Sequence, residues 1–231
     1  MFIIARFVLN REYLAVGFDM DSTLLDTNVN YRKLSLVVYN EMIKVGVPEN
    51  ILGKTAGSIY NMSKGSEYLT KNGRTDDIRV VKDNVREMMM SVELENVMTS
   101  KPYKGAEEML TYLKNKGYKI GVLTRGSRQY AVKALTVSGV IDMLDALVCR
   151  DDFDEDESKP SPIAMKHFAD ALDLEPKDIL YLGDDAIDFF CARDSGAGFI
   201  GVLTMNTKEE WKMIDDRIPV IDTVTELLKI M

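Results

Sequence analysis

Apolar positions along the chain change their period twice, and those changes predict its elements. Residues 13–18 (YLAVGF) form a short apolar run that stops at Asp19-Met20-Asp21-Ser22-Thr23, the pattern of a buried strand feeding a polar loop. Ahead of it, Phe2-Ile3-Ile4 and Phe7-Val8-Leu9 predict an extra edge strand. From about residue 28 to 97 the spacing becomes helical. Leu34, Val37, Val38, Met42 and Val45 share one face, and Gly46-Val47-Pro48 ends that helix. A second helical stretch follows, then a third over about 76–94 carrying Val80, Val81, Val85, Met88 and Met89. Met88-Met89-Met90 reads as core of this helical region rather than as a substrate pocket.

After Lys101-Pro102 strands and helices alternate. A helix over 105–116 stops at Gly117, a strand covers 118–123, and Thr124-Arg125-Gly126 turns into a helix over 127–137. A strand at 146–149 leads through an acidic loop to Lys159-Pro160-Ser161-Pro162 and a helix over 163–172. Strand 179–182, the loop Gly183-Asp184-Asp185, a helix to Asp194, strand 198–202 and a last helix near 223–230 complete the series. Such alternation predicts an α/β fold with a doubly wound parallel sheet. The expected organisation is a core of residues 1–26 plus 98–231 with an inserted all-helical domain near 27–97. Linkers around Asp26-Thr27 and residues 99–104 are expected to act as hinges, letting the helical domain close over the core and exclude water.

Composition narrows the classes of function. With 231 residues and 46% apolar residues, the chain can bury a sizeable core. Its formal charge of −8 excludes the basic stripe of a nucleic-acid binder. Cys149 and Cys191 are far apart and form no CxxC pair, which reads as free thiols in a reducing compartment. The apolar start is broken by Arg6 and Glu12, and no run approaches the ~20 apolar residues that span a bilayer. A cytoplasmic protein, monomer or homodimer, with no membrane or nucleic-acid partner is expected.

The polar residues fall at informative places. Asp19, Thr124, Lys159 and Asp184 each lie at the end of a predicted strand or in the loop after it, the edge where open parallel sheets bind ligands. Asp19 and Asp21 could divide the work of attacking phosphorus and moving a proton, although an Asp-x-Asp pair alone is more often a solvated turn or a helix cap. Asp184, Asp185 and Asp188 place three acids within six positions. That exceeds what an N-cap requires and calls for a cation such as Mg²⁺, with Asp19 and Asp184 as direct ligands and Asp188 further out. Lys159 could neutralise Asp19 and incoming phosphoryl oxygens, and Thr124-Arg125-Gly126 offers a hydroxyl and backbone N–H groups to phosphate. Read singly, Lys159 is a surface lysine and Thr124 a helix cap.

Other patterns do not hold. Gly53-Lys54-Thr55 has Pro48 where a phosphate loop needs its first glycine. The run Asp152, Asp154, Asp156 has Glu157 and Ile163 where a calcium loop needs glycine and glutamate. One histidine and two separated cysteines exclude a structural zinc site.

Taken together and in order, the four segments resemble the motifs of the haloacid dehalogenase-like hydrolase superfamily. Asp19-Met20-Asp21-Ser22-Thr23 is similar to its DxDxT opening, Thr124 to its second motif, Lys159 to its third, and Gly183-Asp184 with Asp188 to its fourth. The Lys-Pro-Ser-Pro and Gly-Asp-Asp segments resemble the phosphoglycolate phosphatase-like branch, which carries a helical cap at the place of the helical region here. The resemblance implies a phosphatase with Asp19 as nucleophile and metal ligand. It makes Asp21 the general acid/base, with its backbone carbonyl on Mg²⁺. Thr124, Arg125, Gly126 and Lys159 would hold the phosphoryl group, Asp184 would be a metal ligand, and Asp185 and Asp188 would stand behind the ligands. Two departures are Ser22, where the family usually has glycine, and Asp185, where it usually has a small hydroxyl residue. A small phosphorylated metabolite is the expected substrate, phosphoglycolate the nearest named one, with selection by cap residues such as Arg32, Lys54 and Tyr60. The alternatives are a phosphosugar mutase, for which a cap histidine is missing because His167 falls on a core helix, and a non-catalytic phosphate-binding protein, which would lack one of the acids.

Overall fold

The computed structural model describes residues 12–229, so both segments of the expected N-terminal edge strand lie outside the described residues. The strands are β1 (Ala15–Phe18), β2 (Leu25–Asp26), β3 (Lys101–Pro102), β4 (Lys119–Leu123), β5 (Ala146–Val148), β6 (Ile179–Gly183), β7 (Gly198–Val202) and β8 (Val220–Ile221). The helices are α1 (Tyr31–Lys44), α2 (Ser58–Lys71), α3 (Thr75–Leu94), α4 (Ala106–Asn115), α5 (Arg128–Val137), α6 (Pro162–Ala171), α7 (Ala186–Ser195) and α8 (Lys208–Ile214). Six strands form one parallel sheet in the order β5-β4-β1-β6-β7-β8, while β2 and β3 pair antiparallel on their own. This is the expected doubly wound α/β fold.

The described residues divide into two compact units, one holding the chain up to Thr27 and from Met98 onward, the other Asn28–Val97. In the first, β1 is buried along its whole length, as a strand covered on both faces must be. Gly17 on β1 pairs in register with Gly121 on β4 and with Tyr181 on β6. The two glycines make a slot for a ring. A Cβ on Gly17 would come within 2.5 Å of Phe168 from α6, and one on Gly121 within 2.6 Å of the same side chain. Phe168 and Tyr181 then meet edge to face at 6.4 Å. Sequence signals set the helix ends as well. Ser161 accepts the N–H of Ile163 ahead of α6, with Pro162 in the first turn, and Asp185 accepts the N–H of Ile187 to cap α7.

The second unit is all-helical, and α1, α2 and α3 enclose a core of Leu34, Val38, Met42, Leu69, Val81, Val85, Met89 and Val92. The loop before α2 is fastened by Asn61, fully buried, whose amide donates to Gly53 O (3.0 Å) and accepts the N–H of Gly53 (2.9 Å). The methionine run is only partly core: Met89 points inward, whereas Met88 is 41% exposed, because adjacent helical positions face about 100° apart. Arg32, Lys54 and Tyr60 are all exposed.

Three features depart from the expected elements. The stretch expected as a final helix is a 3₁₀ segment, Val224–Lys229, among the described residues. Helix α8 and strand β8 were not expected; at seven and two residues they are too short to carry a period. Finally, the two expected linkers contribute to a ladder, Leu25 pairing with Pro102 and Asp26 with Lys101.

Candidate active site

Strand ends deliver the polar residues to one place. Asp19 follows β1 directly, and its N–H donates to Leu182 O on neighbouring β6 (2.8 Å). Thr124 follows β4 and donates its N–H to Val148 O on β5 (2.9 Å). Asp184 follows β6, and Lys159 enters from the loop ahead of α6. These meet at the C-terminal edge of the sheet, where a parallel sheet binds ligands.

Lys159 is the centre of the arrangement. Only 2% exposed, its ammonium donates to Asp19 Oδ1 (2.6 Å), Asp188 Oδ1 (2.6 Å) and Tyr181 Oη (2.9 Å), so all three of its donors are matched. Burial works against the ammonium, but Asp188 and Asp19 outweigh it and hold the lysine charged, well above its ordinary pKa. The carboxylates are less well served, since one cation is shared among three of them. Burial pushes Asp184 up to about 9, with Asp19 and Asp188 adding to it against the hydrogen bond from Thr23. Burial likewise raises Asp188 to about 7 against the pull of Lys159, and raises Asp19 above its ordinary value.

That imbalance has a simple remedy. Asp19, Asp184 and Asp188 each offer an oxygen, all within 4.8 Å of one another. Thr23 donates to Asp184 Oδ1 (2.9 Å), and Asn206 donates to the Asp184 carbonyl (2.7 Å), fixing that residue from both ends. An all-oxygen, acidic donor set suits a hard divalent cation such as Mg²⁺, and a second positive charge would relieve the repulsion that raises Asp184. The residues present therefore fit the metal. Asp185 turns outward instead: it is exposed and caps α7, while its N–H donates to Asp188 Oδ2 (3.2 Å).

Asp21 stands apart from this cluster. Its Oδ1 accepts the hydroxyls of Thr27 and Tyr130, both at 2.5 Å. The turn that presents it places Ser22 at φ 60°, the left-handed region. This is the conformation a glycine would adopt freely, so the departure at Ser22 leaves the turn's shape in place at a strain of about 1 kcal/mol. Thr124 Oγ1 accepts the N–H of Gly126 (2.9 Å), which aims its own proton elsewhere. Arg125 bonds the carbonyl of Lys159 and faces Glu155 at 3.9 Å, so its side chain pins the loop that carries the lysine. His167 lies on α6, bonded to Glu157 (2.8 Å) and stacked on Phe153 at 3.4 Å.

A family model, haloacid dehalogenase-like hydrolase, matches residues 16–202, which takes in Asp19, Asp21, Thr124, Lys159, Asp184 and Asp188, whereas Asn206 lies beyond it. The chain belongs to that family. Among its relatives, a phosphoglycolate phosphatase of Nitrosospira multiformis is 26% identical over 189 residues, covering 79% of this chain and 80% of that protein. A validoxylamine A 7'-phosphate phosphatase of Streptomyces hygroscopicus is 25% identical over 199 residues, covering 85% and 89%. A solved β-phosphoglucomutase of Clostridium difficile superposes with a TM-score of 0.64 at 17% identity, covering 93% of each chain, which speaks for the fold.

Within this haloacid dehalogenase-like site, Thr23 stands in the DxDxT-like segment without a role of its own, and the sequence pattern does not disclose Tyr181, Tyr130 or Asn206. Tyr181 sits in an apolar strand, where nothing in the pattern marks a polar role. Its hydroxyl, however, donates to Leu123 O (2.7 Å) while accepting from Lys159, bridging the end of β4 to the ammonium. Tyr181→Phe is expected to lower stability by about 1–2 kcal/mol, since Leu123 O and Lys159 each lose a buried partner. Thermal melting of the variant checks this, and an unchanged midpoint would refute the bridge.

Proposed function

We propose that this haloacid dehalogenase-like hydrolase is a Mg²⁺-dependent phosphatase that releases phosphate from a small phosphorylated metabolite through an aspartyl-phosphate on Asp19. The observation that carries the reading is the buried ring of Asp19, Asp184 and Asp188 around a single lysine, a site whose charge calls for a cation and a phosphoryl group together. The phosphatase activity of its relatives supports the reaction class.

In this reading a carboxylate oxygen of Asp19 attacks phosphorus, and the bond to the leaving oxygen breaks as Asp21 gives that oxygen a proton. Asp21 then removes a proton from water, whose oxygen attacks the same phosphorus and returns Asp19 to its free carboxylate. Thr124 Oγ1–H and the backbone N–H of Arg125 hold the phosphoryl oxygens, while the N–H groups of Thr124 and Gly126 keep the turn in place through Val148 O and Thr124 Oγ1, and Lys159 balances the charge. A Mg²⁺ ion held by Asp19, Asp184 and the Asp21 carbonyl would supply charge neutralisation at the phosphoryl group. Asp188 fixes Lys159, and Asp185 supports Asp188 through its N–H.

The helical unit Asn28–Val97 is assigned the role of substrate-selecting cap. Relatives of similar identity act on differently named phosphates, among them phosphoglycolate and N-acetylmuramic acid 6-phosphate. A small phosphorylated metabolite is therefore the proposed substrate, with phosphoglycolate the first to try. The mutase alternative finds no histidine in the helical unit, where the sequence contains none between 28 and 97. Among the described residues, no helix is long and apolar enough to cross a membrane.

Phosphate release from 4-nitrophenyl phosphate with Mg²⁺ and with EDTA tests the reading; turnover that ignores EDTA would sink the metal requirement. Stability offers a second readout. A carboxyl whose folded pKa is raised stabilises fully below its unfolded value of 3.8, and that stability is lost as pH rises through about 9. In EDTA the melting temperature is expected to fall between pH about 5 and 9, and the increment from Mg²⁺ to grow across the same window. A Mg²⁺ increment that shrinks with pH would contradict this.

A further inference from the structure

Two hydroxyls converge on one oxygen of the Asp21 carboxyl. Tyr130, the third residue of α5 and 1% exposed, donates its phenol to Asp21 Oδ1 at 2.5 Å, and Thr27 donates to the same oxygen. The tyrosine ring itself has little freedom. It lies across Gly126, where a Cβ would come within 2.8 Å of a ring carbon, and the Gly126 N–H is tied to Thr124 Oγ1. The turn that presents Thr124 and the helix that presents Tyr130 thus form one braced piece, with glycine required between them for the ring to pass.

The torsion that swings an aspartate carboxyl is soft and nearly two-fold, so an unheld carboxyl exchanges its two oxygens. Proton transfer needs one oxygen at a defined distance and angle, and small misplacements cost rate. Resting on the phosphatase reading above, we propose that Tyr130 is a positioning residue for proton transfer at Asp21. Its phenol clamps Oδ1, so that Oδ2 delivers the proton to the leaving oxygen and later takes one from water. In the first step the Asp19–phosphorus bond forms, the ester P–O bond breaks with its electron pair on the leaving oxygen, and the Oδ2 proton completes the alcohol. In the second, the water oxygen bonds phosphorus, the Asp19–phosphorus bond breaks, and the water proton goes to Oδ2. Tyr130 keeps its own proton throughout.

A leaving group that needs no proton separates this role from a structural one. Tyr130→Phe keeps the ring on Gly126 and removes only the hydroxyl. Its kcat/KM is to be compared for 4-nitrophenyl phosphate, whose phenolate departs unaided, and benzyl phosphate, of similar shape, whose alkoxide must be protonated. The expected result is a loss of about 10–100-fold with benzyl phosphate and less than about threefold with 4-nitrophenyl phosphate, with KM for either little changed. The ratio of the two is independent of how much variant is folded. Asp21→Asn, measured alongside, is expected to show the same selectivity more strongly. If Asp21→Asn discriminates between the substrates and Tyr130→Phe does not, the positioning role is overturned and the acid role stands. If neither discriminates, both fall.

Discussion

Asp19→Asn is expected to lower turnover of 4-nitrophenyl phosphate by at least about 10⁴-fold, on the order of 5 kcal/mol of barrier, while leaving the protein folded. An amide matches the carboxylate in shape but does not attack phosphorus. The surroundings tolerate the exchange, because Lys159 retains Asp188 (2.6 Å) and Tyr181 (2.9 Å). Removing one of three crowded carboxylates also relieves the repulsion that raises Asp184. In EDTA the variant should therefore melt no lower than wild type. An inactive but stable protein is the signature of a nucleophile, and turnover within about 100-fold of wild type would remove Asp19 from that role.

Lys159→Met is expected to act on both readouts. Taking away the ammonium leaves Asp19 and Asp188 buried without their cation, which typically costs about 3–5 kcal/mol, or a fall in melting temperature of about 10 °C for a chain of this size. Turnover should fall as well, since the charge that balances the phosphoryl oxygens is gone. Arginine is a poor substitute, because its planar fork does not reproduce a point charge reaching three acceptors in a closed space. The double variant Lys159→Met with Asp188→Leu is expected to recover much of the lost stability without recovering activity. A single variant melting within about 2 °C of wild type would refute the central place given to this lysine.

What could be read from the sequence and what could not divide along physical lines. The strand ends were legible because each strand is buried on both faces, so its apolar run stops sharply where Asp19, Thr124 and Asp184 begin. The helical insert was legible because α1 and α3 are long enough to show a period. Helix α8 was not, although Trp211 buries its ring against Gly201, because one large anchor in seven residues leaves no periodic trace. Nor were the tyrosines. An aromatic in an apolar run reports its ring, whereas Tyr130 and Tyr181 act through hydroxyls whose partners lie 109 and 22 residues away. Ser22 illustrates a third limit: its positive φ is imposed by the turn around it, and the residue type argues the other way.

The glycine slot that admits Phe168 ties together more than a core. Asp19 stands two residues beyond Gly17, Thr124 three beyond Gly121, and Lys159 nine before Phe168 on the same loop-and-helix segment. A single ring, lodged against two strands, therefore acts as the gauge block that spaces the Asp19 carboxylate, the Thr124 hydroxyl and the Lys159 ammonium. Alanine at Gly17 or Gly121 would add only one carbon atom and touch no ligand, yet it would push that ring and everything registered to it. In a fold built this way, the tolerance of the chemistry is set beneath the sheet, several ångströms from any reacting atom.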